Sequence, residues 1–166
     1  STVVTDDFNP NGFFNQNCNS GPVSVPNTVA WQIVTFTATD QCGRTSTCTA
    51  LVVIKDDDGA QIEGETYDAI RYDNDLAQSE YEAWANDNLG NLSVVDDCSG
   101  MAEITWSFSP ASPNTEFVGP FATTEVSFIA TDGCGNTSSV TAIFRLKEEP
   151  TANIFNISGA IMDAYN

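Results

Sequence analysis

Two kinds of side chain in this sequence could do chemistry, five cysteines and 23 carboxylates, and the lack of a third kind limits what that chemistry is. There is no histidine, so neither a Ser-His nor a Cys-His nucleophile pair can be built. The cysteines contain no C-x-x-C spacing, which disfavours zinc and makes disulfides, with the oxidising compartment they need, the expectation. Paired carboxylates carry little information in so acidic a chain; a glycosidase would need two of them held roughly 5–10 Å apart across a cleft. No glycine-rich phosphate loop is present. The sequence reads as non-enzymatic.

The remaining chemistry for carboxylates is cation binding. Acids cluster at Asp6 and Asp7, at Asp56, Asp57 and Asp58, at Asp73 and Asp75, and at Asp96 and Asp97. Calcium takes about six to eight oxygens, and carboxylates converging from a linker and neighbouring loops supply them in extracellular arrays. Asp56, Asp57, Asp58, Asp96 and Asp97 are the candidates, and calcium is the one cofactor the sequence suggests. The competing reading makes these clusters solvated loops, and no D-x-D-x-D-G loop decides between the two. Asp40 and Asp132 read instead as turn caps.

With 5 basic residues against 23 acids the net charge is -18. Phosphates would be repelled, which argues against a nucleic-acid partner, and no apolar run of 18 residues exists for membrane insertion. Ser1 opens directly into strand-like sequence, so no signal peptide is expected within this stretch. Apolar residues at 41% and aromatics at 10% are enough for packed cores, which excludes disorder throughout. Trp31, Tyr67, Tyr72, Tyr81 and Trp106 are candidates for stacking on surface glycans, but Trp84 on a helix face and Trp106 in an alternating strand fit core packing. Asn91, Asn136 and Asn156 head N-x-S/T strings, permissive for glycosylation and no more.

The elements that must position these residues follow from an internal echo. Residues 34–54, VTFTATDQCGRTSTCTALVVI, return as residues 126–146, VSFIATDGCGNTSSVTAIFRL; over 34–50, 11 of 17 positions are identical at an offset of 92. Self-similarity at fixed spacing marks a tandem array. Val34, Phe36 and Ala38 alternate with Thr35, Thr37 and Thr39, the period of a strand buried on one face. DQCG at 40–43 is a type I turn with Asp first and Gly fourth, and the β-branched return strand closes a hairpin. The second copy turns on DGCG at 132–135.

Along the chain, residues 8–30 are rich in Pro and Gly and read as loops, with the strand beginning at Trp31. A helix is expected from about Asp75, capped by Asp73 or Asp75, with Ala77, Tyr81, Trp84 and Ala85 on one face and an end at Leu89 and Gly90. Residues 101–108 alternate as a strand, and 110–120 form a loop. Residues 60–62 match 152–154 at the same offset. The expected organisation is a partial repeat at 1–57, a complete one at 58–148 and the start of a third at 149–166; short strands between turn signals describe an all-β fold of tandem sandwiches with one short helix.

The string TFTATDQCGRTSTCTA resembles the closing hairpin of HYR-type repeats, an immunoglobulin-like module, and of their Cys-rich relatives in giant surface proteins of gliding bacteria. Residues 75–88, 95–100 and 104–108 look like the helix, the Asp-Cys loop and the Trp strand of those relatives. The resemblance covers most of residues 58–148 and, more loosely, 1–57. It implies immunoglobulin-like sandwiches, no enzymatic activity, an extracellular cell-surface location reached by the type IX route, and service in adhesion or gliding motility, with neighbouring repeats as partners.

Within that frame, Cys98 and Cys134 are the cysteines of the complete repeat and are expected to bond. Cys18 is expected to pair with Cys42, because the position matching Cys98 in the first copy carries no thiol. Cys48, whose counterpart is Val140, is either a core thiol or the partner of a cysteine outside the chain. Two further functions stay open: a head-to-tail filament in which residues 151–166 of one subunit add a strand to the next, and a calcium- or glycan-binding module.

Overall fold

The computed structural model describes residues 2–18, 20–96 and 104–149. The two β-branched stretches fold into two long antiparallel hairpins, and the rest of the chain is arranged around them. In the first, β3 (Thr28–Thr39) pairs with β4 (Thr45–Lys55). In the second, β9 (Phe121–Thr131) pairs with β10 (Thr137–Glu148). Equivalent residues face one another in both, Phe36 with Cys48 and Phe128 with Val140. The 92-residue echo is therefore an echo of structure.

Each turn closes as its sequence requires. Asp40 Oδ1 accepts the Cys42 and Arg44 amides at 2.8 and 2.9 Å, and Asp132 Oδ1 accepts those of Cys134 and Asn136 at the same distances. Gly43 and Gly135 adopt φ of 78° and 91°, a left-handed conformation in which a Cβ would be strained.

Around the second hairpin the sheet order is β6-β10-β9-β8, with β6 (Ala69–Asp73) parallel to β10 and β8 (Thr105–Ser109) antiparallel to β9. A second layer is built from α1 (Ala77–Asn91) and the two-stranded sheet of β5 (Gln61–Glu63) and β7 (Ser93–Val95). The core lies between the layers: Tyr81, Trp84 and Ala85 of α1 pack with Val126, Phe128, Phe144 and Leu146. Tyr81 and Trp84 each stand 5.1 Å from the Phe144 ring. The fold is all-β and sandwich-like, with one helix taking part of the second layer.

The expected helix face is the buried one, and the ends differ from expectation. Neither Asp73 nor Asp75 caps α1; the N-cap is Leu76, which makes no side-chain cap bond, and Asn74 accepts the Leu76 amide at 2.8 Å. The helix continues through Gly90 to Asn91, and the fully buried Asn88 ties this turn to the segment just before β6. Its Oδ1 accepts the Tyr67 amide at 2.8 Å, while Trp84 Nε1 donates to the Tyr67 carbonyl at 2.9 Å. Of the strand expected over 101–108, residues 105–109 form β8 and 101–103 lie outside the described residues.

In the first sheet, β3 begins at Thr28, three residues before the expected start. Its free edge carries β1 (Val3–Asp6) at one end and β2 (Phe14–Asn15) at the other. The intervening loop is held by amides: Gln16 Nε2 donates to the Val23 and Thr28 carbonyls at 3.1 and 3.2 Å, and Gln32 Nε2 to the Asn9 carbonyl at 3.1 Å. Of the expected start of a third repeat at 149–166, residues 150–166 lie outside the described residues.

Candidate functional site: the joint between the two sheets

The carboxylates of the linker are placed by the ends of the elements it joins. Where β4 ends, the Asp56 amide donates to the Asn27 carbonyl at 2.9 Å and Asn27 Nδ2 donates to Asp57 Oδ1 at 2.9 Å. Asn27 holds φ at 59°, which Asn tolerates better than most residues. The linker then runs against β10. A Cβ at Gly59 would sit 2.8 Å from the Thr137 carbonyl oxygen, so only glycine allows this approach.

Asn136, the last residue of the second turn, closes the joint. Its Nδ2 lies 2.9 Å from the Asp56 carbonyl, 3.2 Å from the Asp58 carbonyl and 3.0 Å from Asp132 Oδ2. One amide thus ties the linker's backbone to the turn. Asn136 heads a string that is only permissive for glycosylation, and its side-chain amide is engaged within the molecule. The signal that could have found it is a difference between the copies: Arg44 stands at the equivalent place and folds back on its own turn, 2.7 Å from Asp40 Oδ2.

Beside this pin lies a depression of about 340 Å³ lined by Lys55, Asp56, Asp57, Asp58, Gly59, Gln61, Val95 and Asp96. Four of the five calcium candidates are brought together there, and Asp97 lies outside the described residues. Asp56 and Asp132 are both buried, and with Cys134 they offer oxygen and sulfur atoms within 4.8 Å of one another. The sulfur is engaged in a disulfide and the Asp132 oxygens accept three hydrogen bonds from the turn. The carboxylates of Asp56, Asp57, Asp58 and Asp96 line the depression and are oxygen donors of the class a hard cation such as calcium takes, with Asp57 Oδ1 already accepting the Asn27 amide. The acids at Asp6 and Asp7 do something else. Asp7 Oδ1 accepts the Thr35 amide at 2.6 Å and Asp6 Oδ1 that of Phe8 at 3.1 Å, closing the β1 end of the first sheet.

A covalent bond crosses the same joint: Cys18 is bonded to Cys134, with Cα atoms 4.9 Å apart across 116 residues. This corrects the expected pairing of Cys18 with Cys42, which is a free, exposed thiol. The reason is strand length. Cys18 lies beside the start of β3, where the Gln16 amide donates to the Val29 carbonyl, whereas Cys42 lies past its end. Ten strand residues span roughly 33 Å, far beyond a disulfide's reach of about 7 Å. Cys98, the expected partner of Cys134, lies outside the described residues, and Cys48 is a free, exposed thiol on β4.

The aromatics divide. Tyr81 and Trp84 are core, Trp106 packs against the core from β8, and Tyr67 and Tyr72 are exposed. Burial pushes the Tyr81 hydroxyl above its ordinary range, and it donates to the Pro110 carbonyl. Trp31 stacks on Phe14 at 5.1 Å on the outer face of the first sheet. No helix among the described residues is long and apolar enough to cross a membrane. No family model and no curated protein sequence matches the chain.

Proposed function

We propose that this chain is a structural and adhesive segment of an extracellular repeat array, resembling the HYR-like immunoglobulin-like arrays of large surface adhesins, and that it serves attachment or gliding. The observation that carries the reading is the joint. Two copies of one hairpin follow each other at a 92-residue spacing, and a disulfide and an asparagine amide clamp them together. A clamp of this kind suits a module that transmits load, since repetition supplies reach while local cores and cross-links resist unfolding. Disulfide formation fits an oxidising location outside the cytoplasm, and the net charge of -18 keeps neighbouring arrays apart.

The test is made on intact cells of the source organism. An antibody raised against residues 1–149 is expected to label the surface without permeabilisation and to reduce attachment. Labelling that appears only after permeabilisation would sink the proposal.

A second reading rests on the pocket at the joint, where calcium held by Asp56, Asp57, Asp58 and Asp96 stiffens the clamp. Millimolar calcium is then expected to raise the melting temperature, EDTA to lower it, and Asp57→Asn with Asp58→Asn to abolish the difference. Identical melting in calcium and EDTA removes this reading. A shift caused by a free sugar instead would move the function to glycan binding.

A further inference from the structure

The outer edge of β10 is covered. The β6 strand lies parallel to it over Phe144–Glu148, and just before β6 the Thr66 hydroxyl donates to the Thr141 carbonyl at 2.9 Å while Asp68 Oδ1 accepts the Ile143 amide at 2.8 Å. The equivalent edge of β4 has no such cover: among the described residues β4 pairs with β3 alone. Residues 45–54 of that edge, TSTCTALVVI, contain no charge, proline or glycine, so none of the usual devices that keep an edge strand from pairing is present. The face beside it is unfinished as well, since Phe36 and Ile54 are exposed where Phe128 and Leu146 are fully buried. An open edge flanked by exposed apolar side chains is a site for strand addition.

The second sheet shows what fits. The segment that covers β10 is 66–73, and the residues 92 places later are 158–165, SGAIMDAY. Ser158 keeps the hydroxyl that Thr66 uses on the neighbouring carbonyl. Ile161 is the sequence counterpart of buried Ala69 at the 92-residue offset, and a larger side chain suits the emptier face of the first sheet. Asp163 is the one charged residue in 151–166, so the segment carries little of the repulsion that keeps the rest of two copies apart.

We propose that the outer edge of β4 receives residues 158–165 of a second copy of this chain, laid parallel to it in the register that 66–73 takes on 141–148. The partner is a copy of the chain, and the contact is heterologous, so it propagates head to tail. The proposal rests on the reading of the chain as an array module and extends it from links within a chain to links between chains.

Sedimentation velocity of the full chain tests it, run from low to high concentration at about 0.5 M salt to screen the surface charge. Species growing in multiples of 17.8 kDa are expected, together with hydrogen exchange slowed at least about tenfold at the amides of Leu51, Val53 and Lys55. Those amides match Ile143 and its alternate neighbours, which face β6. Two variants should stay single: the chain ending at Glu149, and Val53→Pro, which removes an outward N–H and leaves the β3 ladder intact. A full chain that sediments at one chain's mass throughout, or a chain ending at Glu149 that assembles equally well, overturns the proposal. Surface labelling of cells reports on the array itself, so the two readings fail separately.

Discussion

The two hairpins are nearly the same sequence in two surroundings. Val126, Phe128, Ala142, Phe144 and Leu146 of the second are buried, with Phe128 and Leu146 at 0% exposure. Their counterparts in the first include Phe36 at 37% and Ile54 at 45%. Period-two alternation specifies which face of a strand seeks burial, and it says nothing about what arrives to bury it. In the second sheet α1 arrives with Tyr81 and Trp84. In the first, the face is met by a loop held through Gln16 and Gln32, so amide hydrogen bonds replace part of an apolar core. Stability should therefore be concentrated in the second half of the molecule.

Truncating the same residue in both copies gives the largest expected effect. Phe128→Ala removes a ring in contact with Trp84, 5.8 Å between centroids, and should destabilise the protein by about 3–5 kcal/mol. Phe36→Ala removes a side chain already partly in water and should cost about 1 kcal/mol or less. Urea denaturation of both variants, followed by tryptophan fluorescence, measures the difference. Equal losses would mean that the two faces are equally covered in solution and that the hairpins do not differ in surroundings.

The clamp comes next. Replacing Cys18 and Cys134 together by Ser opens a loop of 116 residues, and the chain-entropy model puts the loss at roughly 5 kcal/mol. The loss should fall unevenly. With the cross-link gone, the first sheet is expected to melt before the second, turning one calorimetric transition into two. A single transition merely shifted to lower temperature would show that the sheets cooperate through Asn136 and the linker without the disulfide.

Much of the fold was legible because it is local. Both hairpins, both Asp-capped turns and the buried face of α1 follow from alternation, turn chemistry and helical spacing. The clustering of Asp56, Asp57, Asp58 and Asp96 was also in reach, since a linker and the loop after β7 belong to one joint. What could not be read is what depends on distant segments meeting. Asn88 looks like any polar residue on a helix until the Tyr67 backbone is placed beside it. Asn136 looks like the head of one more N-x-S/T string until two linker carbonyls approach. The partner of Cys18 was missed because analogy with the second copy ignores the loop between β2 and β3, which carries Cys18 to the opposite end of its sheet from Cys42.

The smallest effect separates the turns themselves. Asp40 and Asp132 make the same two amide contacts, but Arg44 adds a guanidinium at 2.7 Å where Asn136 adds a neutral amide at 3.0 Å that it shares with the linker carbonyls. The Arg44 amide first, and then its guanidinium, hold the Asp40 carboxyl below its ordinary value of 3.8. Because the folded pKa is depressed, the turn's contribution is complete above about pH 4 and fades as pH falls through the lowered value. The Arg44 side chain is 82% exposed and the pair is screened by solvent, so global stability barely registers it. A carboxyl titration by NMR does. Arg44→Ala should raise the Asp40 midpoint only part of the way to 3.8, since the larger influence is an amide that alanine keeps. A full return would put the guanidinium in charge of the first turn, and the difference between the two turns would then reside in that one side chain.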